Sequence, residues 1–298
     1  MSTQGTRMQA GHASATSSLV AMARAIFDKA PRTYSATHDP IAMKLIPRRM
    51  AQWTTALQKA WNVPALGYPA LKLISLGLFE QVALRTAAID SVAIMAAQSG
   101  IKQLVILGAG LDARAYRLKG IEQTTVYELD HPATQQYKKR KTQDVAPLVR
   151  EHHFVAIDFA HDRLLARLED AGFVSGERTL WLMEGVSMYL PRPAMEDTVA
   201  QVQAASAPGS RFAITYFPPL AGVFGIAPVR ITLRRIMERM KEPFLGIIAT
   251  SDLHRLLAAH DFSIATDEYP PDWARRYTPA VNPKTVLGLE RLVVAEKQ

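Results

Sequence analysis

The chain has 298 residues, 48% hydrophobic and 21% charged, which is enough to bury a large core without a structural metal. Its 35 Lys and Arg against 27 Asp and Glu give a net charge of +8. The absence of cysteine excludes a disulfide scaffold, cysteine-ligated zinc, iron–sulfur clusters and thiol catalysis. It is consistent with a reducing compartment, and we expect a cytoplasmic protein.

The sequence has no segment that is apolar enough to span a membrane, which takes about 20 apolar residues. The most apolar stretch, residues 64–79, is interrupted by Pro69, Lys72 and Gly77. Near the N-terminus Arg24 divides the only apolar run, so we expect no secretory signal.

The N-terminal quarter is predicted to be helical. Residues 1–17 are rich in Ser, Thr and Gln and are predicted to be a flexible arm. Residues 18–78 are predicted to form a helical cap. Its apolar spacing predicts three helices, at residues 18–29, 39–45 and 50–61. A long helix over residues 79–98 should end at Gly100.

From residue 102 onward, apolar strands alternate with helices. Strands are predicted at residues 102–107, 124–130, 153–158, 179–183, 211–216, 262–267 and 291–296, and helices at residues 132–143, 162–171, 193–207 and 251–261, the last capped by Ser251. This alternation predicts an α/β fold with a seven-stranded, mostly parallel, doubly wound sheet in a single domain, 1–298. The last two strands flank a Pro-rich loop, residues 269–283, without a predicted helix, so they should pair antiparallel.

One segment breaks this rhythm. Residues 217–248 are rich in Pro and Gly and then carry an amphipathic helix pattern. We expect an inserted lid here, between a cofactor-binding core at residues 79–216 and the C-terminal part of the sheet at residues 249–298. The alternatives for its apolar face are a dimer contact and a membrane contact.

A glycine-rich turn follows the first predicted strand. Gly108, Ala109 and Gly110 begin a G-x-G-x-x-A motif, and Glu128 follows at the spacing of a dinucleotide fingerprint. Asp112 lies within the loop, where it would repel a pyrophosphate at a helix N-terminus. S-adenosylmethionine has no phosphate and carries two positive charges, so it suits the loop better. A dinucleotide oxidoreductase or a non-catalytic nucleotide-binding protein is the alternative.

Acidic residues close three of the predicted strands. Asp130, Asp158 and Glu184 each stand at or directly after a strand end. Ligands of doubly wound sheets bind in the crevice at these ends. We therefore expect the three carboxylates to line one binding site. Arg85, on the preceding helix, could hold the cofactor carboxylate, and Asp130 could accept both ribose hydroxyls.

At these residues the chain resembles the leucine carboxyl methyltransferase family, S-adenosylmethionine-dependent O-methyltransferases with many bacterial small-molecule members. The resemblance runs from about residue 23 to 207 and continues more weakly to the end. It rests on a set of motifs, namely Leu84-Arg85-Thr86 with Asp90, VILGAGLDARAYRL at 105–118, YELDHP at 127–132, AIDF at 156–159 and LWLMEGVSMYLP at 180–191.

The resemblance implies a Rossmann-like class I methyltransferase fold, S-adenosylmethionine as cofactor and a role for each matching residue. The implied cofactor contacts are Arg85 to the carboxylate, the backbone of Gly108, Ala109 and Gly110 along the turn, Asp130 to the ribose, Asp158 and the backbone of Phe159 to the adenine, and Glu184 near the reacting face.

The reaction itself demands little of the protein. Methyl transfer is an in-line displacement with a neutral leaving group, so no oxyanion hole is needed. A carboxylate acceptor is already ionised at neutral pH and needs no general base, whereas a hydroxyl or phenol does. No dedicated base motif or metal motif is present. We expect methylation of a small-molecule carboxylate; the alternatives are a hydroxyl or phenol, a protein C-terminus, or RNA.

The acceptor side offers fewer indications. Candidates for positioning an acceptor are Arg32, Tyr34, Tyr189, Tyr216 and Glu184. Basic residues cluster at 48–49, 138–141 and 230–241, which indicates solvated helix faces or steering of an anionic acceptor. We do not expect a nucleic-acid partner, and monomer and homodimer both remain open.

Overall fold

The computed structural model describes residues 14–158, 162–219 and 246–298. Phe159, most of the predicted arm (residues 1–13) and most of the predicted lid (residues 220–245) lie outside the described residues.

Seven strands form one sheet. In chain order they are β1 (Gln103–Leu107), β2 (Thr125–Asp130), β3 (Glu151–Ala156), β4 (Thr179–Met183), β5 (Arg211–Tyr216), β6 (Phe262–Glu268) and β7 (Arg291–Lys297). Their spatial order is β3-β2-β1-β4-β5-β7-β6, with β1 to β5 parallel and β7 antiparallel to both neighbours. The predicted mostly parallel sheet with an antiparallel final pair is confirmed. The order reverses at β1, where such sheets open a ligand crevice.

The N-terminal helices pack together as a cap beside the sheet. They are α1 (Ala15–Asp28), α2 (Ala42–Leu45), α3 (Arg48–Gln58), a 3-10 turn (Lys59–Asn62), α4 (Pro64–Ser75) and the long α5 (Leu78–Gln98). Helix α4 continues through Pro69 and packs closely on the 3-10 turn. A Cβ at Gly67 would lie 1.9 Å from the carbonyl oxygen of Ala60, so this contact requires glycine.

The remaining helices connect the strands. They are α6 (Arg114–Arg117), α7 (Pro132–Thr142), α8 (Leu164–Glu169), α9 (Arg192–Ala205), α10 (Thr250–Ala258) and α11 (Pro270–Tyr277), with 3-10 turns at Ser187–Tyr189 and Pro283–Thr285. Alternate residues of β1 join different cores: Leu104 and Ile106 pack with α5, whereas Val105 and Leu107 pack with α8 and α9. Both faces of the sheet are therefore covered, as a buried parallel sheet requires.

The structure corrects four details of the predicted elements. Helix α1 begins at Ala15, so the last residues of the predicted arm are helical, and Ser14 caps the helix. Strand β3 spans Glu151–Ala156, about two residues earlier than predicted. Helix α10 begins at Thr250 without the predicted cap from Ser251. The Pro-rich loop contains helix α11, which was not predicted. Proline is tolerated there because the backbone N–H that it lacks would have no partner in the first turn of a helix. The Asp272 carboxylate also caps this helix by accepting the N–H of Tyr269 at 3.2 Å.

Within the described ranges, no helix combines the length and the apolar character needed to cross a bilayer. The same part of the chain contains no group of three or more His, Cys, Asp or Glu side chains placed to hold a metal ion.

Candidate cofactor-binding site

The glycine turn brings two strand ends into close contact. Gly108 and Gly110 follow β1 with φ of +67° and +53°, a region that side chains disfavour. A Cβ at Gly108 would lie only 2.4 Å from the Cγ2 atom of Val186, in the loop after β4. The glycines therefore allow the loops after β1 and β4 to meet at the point where the strand order reverses.

Asp130 closes β2 beside this turn. Its Oδ2 atom accepts the backbone N–H of Gly110 at 2.5 Å, and its Oδ1 atom accepts that of His131 at 2.6 Å. Burial raises the pKa of Asp130 above its ordinary value, although both N–H groups oppose this. The structure thus joins Asp130, at the end of β2, to the glycine turn after β1.

Arg85 is buried and already bound to two carboxylates. Its Nε atom donates to Glu184 Oε1 at 2.9 Å, and its Nη1 atom donates to both oxygens of Glu290 at 2.8 and 3.0 Å. Its Nη2 atom makes no hydrogen bond within the described residues. The predicted role for Arg85, holding a cofactor carboxylate, therefore falls to this one nitrogen.

These contacts belong to a larger assembly, which we call the arginine–carboxylate network. Eight ion pairs join nine side chains in a continuous chain, all of them at most 12% exposed. The pairs, in order, are Arg24–Asp39 (2.8 Å), Asp39–Arg117 (3.3 Å), Arg117–Asp90 (2.6 Å), Asp90–Arg114 (2.8 Å), Arg114–Asp112, Arg114–Glu184 (2.8 Å), Glu184–Arg85 (2.9 Å) and Arg85–Glu290 (2.8 Å). Four positive charges against five negative ones leave a net charge of −1.

The network holds its carboxylates ionised. Burial alone would raise the pKa of Glu184, but the charges of Arg114 and Arg85 outweigh it and lower the pKa. The same balance applies to Asp112. Burial alone would raise its pKa, but the charge of Arg114 holds the pKa of this carboxyl well below its usual range. Both groups are consequently weak bases at neutral pH.

The network also revises the argument made from Asp112. The sequence suggested a free negative charge on the loop, whereas Arg114 binds Asp112 through its guanidinium and its backbone N–H. Sequence reasoning missed Arg114 and Arg117, although their i, i+3 spacing after the glycine turn was a visible indication. It also missed Glu290, because no motif surrounds that residue.

Glu128, the acidic residue that a dinucleotide would need, faces the interior. It is 1% exposed and pairs with Lys138 and with His152, the latter at 3.0 Å. Lys138 is itself buried, so the prediction that residues 138–141 form a solvated helix face is wrong for this residue. Glu128 is thus committed to other side chains, which weakens the dinucleotide alternative.

Asp158 lies in the loop after β3, at the same edge of the sheet. The N–H of Ile157 donates to the carbonyl of Asp130 at 3.0 Å, which holds this loop against the end of β2. The backbone N–H of Asp158 donates to Asp162 at 2.8 Å, and its side chain is exposed. The adjoining Phe159 lies outside the described residues, so its predicted backbone contact stays a prediction.

Helix α1 lies across the glycine turn. A Cβ on Gly110 would come within 3.1 Å of Ser17, and Arg24 donates to the carbonyl of Leu111 at 2.5 Å. In the first turn of α1, Thr16 bonds the Tyr189 hydroxyl at 3.3 Å. Tyr189 is therefore brought to the glycine turn through α1.

The other acceptor candidates lie in different surroundings. Tyr34 packs against Trp61 and Tyr68 in the cap, with ring centroids 5.8 and 5.0 Å away. Tyr216 directs its hydroxyl to Asp267 at 2.7 Å and to Thr250 at 3.0 Å. Arg32 is exposed on the loop after α1. The structure joins none of these three to the network.

The predicted lid leaves the sheet close to the site. Phe217 forms a bridge with Ile247, and the N–H of Gly246 donates to the carbonyl of Met188 at 2.8 Å. A Cβ on Gly246 would lie 2.0 Å from the carbonyl oxygen of Ser187. We call Phe217 together with residues 246–248 the insertion base. It anchors both ends of residues 220–245 beside the 3-10 turn that follows Glu184.

Comparison with known proteins adds sequence relatives. A candidate S-adenosyl-L-methionine-dependent methyltransferase of Mycobacteroides abscessus is 30% identical over 275 residues, covering 90% of this chain and 89% of the relative. One from Mycolicibacterium smegmatis is 35% identical over 208 residues, 69% of this chain and 67% of the relative. Another from that species is 43% identical over 135 residues, and there the chain spans only 45% of the relative's length.

Two crystal structures share the fold. A candidate methyltransferase of Thermobifida fusca superposes with a TM-score of 0.59 at 16% identity, covering 94% of each chain. A DUF574 family protein of Streptomyces avermitilis gives 0.62 at 10% identity, covering 97% of this chain and 98% of that one. At such identities the likeness concerns the fold alone.

The family assignment follows from the sequence matches. The model of the leucine carboxyl methyltransferase family matches residues 17–203, more than half of the chain. The Mycobacteroides abscessus relative aligns along nearly the whole of both chains. The glycine turn, Asp130, Arg85 and Glu184 all fall within the matched region. The chain belongs to the leucine carboxyl methyltransferase family.

Proposed function

We propose that this chain transfers the methyl group of S-adenosylmethionine to a carboxylate of a small anionic acceptor, forming a methyl ester. Its family and its relatives support an S-adenosylmethionine-dependent methyltransferase. The choice of a carboxylate is carried by one observation. Every carboxylate of the arginine–carboxylate network is paired with arginine, so none of these groups is suited to take a proton from an alcohol.

The residues at the strand ends fit this cofactor. When bound, S-adenosylmethionine supplies an electrophilic methyl group on a positively charged sulfur. The net charge of −1 on the network complements a ligand that carries one net positive charge. Arg85 Nη2 makes no hydrogen bond within the described residues, and Arg114 Nη2 is buried without a hydrogen-bond partner there. These two donors are suited to a ligand carboxylate.

Asp130 and the glycine turn suit the nucleoside. The two oxygens of Asp130 accept the backbone N–H groups of Gly110 and His131, and we propose that they also accept two neighbouring ribose hydroxyls. The missing Cβ atoms of Gly108 and Gly110 make room for Val186 and Ser17, so the turn would contribute to the nucleoside site through its backbone. We propose that Asp158, on the loop held against the end of β2, binds the adenine.

Within the described residues no suitable base lies near Glu184, which favours an acceptor that is already ionised. A base is most effective when its pKa lies near the working pH, and the pKa of Glu184 is lowered. His131 is no better placed, because its Nδ1 atom accepts the N–H of Ala133 at 3.2 Å. In the neutral ring the proton is then on Nε2, which donates. A carboxylate acceptor, ionised above about pH 4, needs neither group.

The protein's contribution is then orientation and exclusion of water. Arg85 and Arg114 hold Glu184 from two sides, so its carboxylate is kept in one orientation. In a site with fixed side chains, alignment of the methyl group with the acceptor oxygen can contribute up to about 7–11 kcal/mol. We propose further that residues 1–298 act as one methyltransferase domain, with α1 covering the acceptor side. The contacts of α1 with Gly110 and with Tyr189 support this.

A labelling experiment tests the proposal. The protein is incubated with methyl-labelled S-adenosylmethionine and separate pools of small carboxylic acids, phenols, alcohols, peptides with free C-termini, and RNA. Methyl esters release labelled methanol in alkali, whereas methyl ethers do not. We expect alkali-labile label in the carboxylic acid pool and none with the Asp130→Asn variant. Label that survives alkali, or that appears only on peptides or RNA, would contradict the proposed acceptor.

A further inference from the structure

Exposed apolar side chains are concentrated on one part of the cap. Eleven large hydrophobic residues are exposed in the described structure, and six of them lie between residues 53 and 76. The four that are more than 60% exposed all belong to this segment, namely Trp53 (71%), Leu66 (74%), Leu73 (76%) and Ile74 (64%). Scattered surface hydrophobics are ordinary, but a contiguous group of them indicates a contact surface.

Helix α4 presents this surface as one continuous face. Its exposed residues are Ala65, Leu66, Pro69, Ala70, Leu73 and Ile74, a spacing that places all six on one side of a helix. No polar side chain interrupts them. The face is about 14 Å long at 1.5 Å per residue. Its opposite side packs into the cap through Gly67 and Leu71.

The segment that carries this face has charged residues of a single sign. Residues 40–79 contain five Lys or Arg and no Asp or Glu. Arg48, Arg49 and Lys59 are exposed and form no ion pair within the described residues. Helix α3 carries the first two, with Trp53 one turn after Arg49. Lys59 directly precedes α4 in the 3-10 turn. The surface thus combines an apolar helix face, an exposed tryptophan and unpaired cations.

We propose that the exposed faces of α3 and α4 bind the surface of an anionic lipid bilayer. An amphipathic helix of this kind inserts its apolar side chains at the level of the lipid headgroups, where tryptophan is also enriched. The free guanidinium and ammonium groups bind the anionic headgroups. The attachment is peripheral, since no described helix is able to cross a bilayer.

A second copy of the chain fits the surface less well. In a twofold dimer the same patch contacts itself, so acidic groups would have to lie opposite Arg48, Arg49 and Lys59. Residues 40–79 provide none, and Glu80, the next acidic residue, is buried and pairs with Lys72 at 3.1 Å. Self-association through this face would bring like charges together.

The test is sedimentation of the full-length protein with vesicles. One vesicle preparation is phosphatidylcholine alone, and the other is an equal mixture of phosphatidylcholine and phosphatidylglycerol. We expect binding to the mixed vesicles that weakens as salt is raised. A triple variant, Leu66→Gln, Leu73→Gln and Ile74→Gln, should bind at least about ten-fold more weakly, because each buried apolar side chain contributes that order of magnitude. Val174→Gln, at an exposed valine elsewhere, should bind like the parent.

The charge contribution has its own matched pair. Two double variants change the net charge by the same amount: one combines Arg48→Glu with Arg49→Glu, and the other combines Lys102→Glu with Lys119→Glu. Only the first should reduce vesicle binding strongly. Equal loss in both pairs would contradict the proposed site, as would no binding to mixed vesicles.

Two further measurements test whether something other than a bilayer covers the exposed face of α4. A dimer mass that falls in the triple variant would assign the face to a second copy. A lower melting temperature in that variant would show that another segment of the chain covers α4. Either result would overturn the proposal.

Discussion

A single nitrogen of Arg85 donates to both carboxylate oxygens of Glu290, a residue 205 positions later in the chain. Glu290 is fully buried in the loop before β7, and Gln81 also directs its amide toward it at 3.4 Å. The final strand therefore helps to hold the guanidinium that a cofactor carboxylate would meet. We infer that Glu290 positions Arg85 rather than contacting a ligand.

This pairing predicts strong coupling in a double-mutant cycle. Arg85→Met, Glu290→Gln and their combination should give a coupling free energy of unfolding of about 1–3 kcal/mol, because the single variants leave a buried charge unpaired. Urea unfolding measures it. The surface pair Arg276–Glu268 provides the control and should couple by less than about 1 kcal/mol. Similar values for both pairs would remove the special role given to Glu290.

A second prediction concerns Asp130. Asp130→Asn should weaken cofactor binding by about 1.5–3 kcal/mol, the contribution of hydrogen bonds to a charged group. Titration calorimetry with S-adenosylmethionine measures this. Glu128→Gln is the matched control two residues earlier. It should lower the free energy of unfolding, since it disturbs the buried contact with Lys138, yet leave affinity unchanged. Unchanged affinity in Asp130→Asn would withdraw the ribose assignment.

The raised pKa of Asp130 predicts a pH dependence of binding. Ribose hydroxyls donate to the ionised carboxylate, so affinity should be full above the folded pKa and fall as pH drops through it. Because burial raises this pKa, the loss should begin at a higher pH than for an ordinary aspartate. Comparison with Asp130→Asn removes the titration of the ligand itself, and equal pH profiles for the two proteins would contradict the argument.

The same shift has the opposite sign for the stability of the fold. The folded chain holds the Asp130 proton more tightly than the unfolded chain does. This residue therefore stabilises the fold at pH values below its ordinary pKa, and its contribution is lost as pH rises through the folded pKa. Measuring unfolding and binding at each pH separates the two effects. As the pH falls, protonation of Asp130 should weaken cofactor binding while it stabilises the fold.

Gly108, in the glycine turn, can be compared with Gly172, another glycine with positive φ. Gly108 and Gly172 both have positive φ, but a Cβ at Gly172 has nothing within 4 Å, whereas one at Gly108 meets Val186 at 2.4 Å. Gly172→Ala should lose only the backbone cost of about 1–2 kcal/mol. Gly108→Ala should lose more, and Val186→Ala should recover part of that excess. An equal loss in the free energy of unfolding at the two glycines would mean that Val186 can move away from the added methyl group without cost.

The sequence was informative wherever local patterns decide the structure. Apolar runs located the strands, and β4 and β5 have the predicted bounds because each is buried and ended by a turn. The position of Asp130 at the end of β2 followed from the apolar run that precedes it. Helix α11 escaped because its prolines were taken as loop residues, although proline is tolerated in a first turn.

What the sequence could not supply were pairings between distant segments. Nothing local indicates that Glu290 binds Arg85 or that Asp39 bridges Arg24 and Arg117. Such contacts arise only when the cap and the last strand pack against the core. Asp112 illustrates the result: its charge was visible in the sequence, but its arginine partner changes what that charge can do.

The insertion base brings together two points that are distant along the chain. Because Phe217 and Ile247 are bridged, the two ends of the intervening segment are already fixed side by side. Changing the length of a loop with fixed ends costs little, about 0.6 kcal/mol per doubling. The length of the segment between Phe217 and Ile247 can therefore change at little cost while the glycine turn and the arginine–carboxylate network keep their contacts.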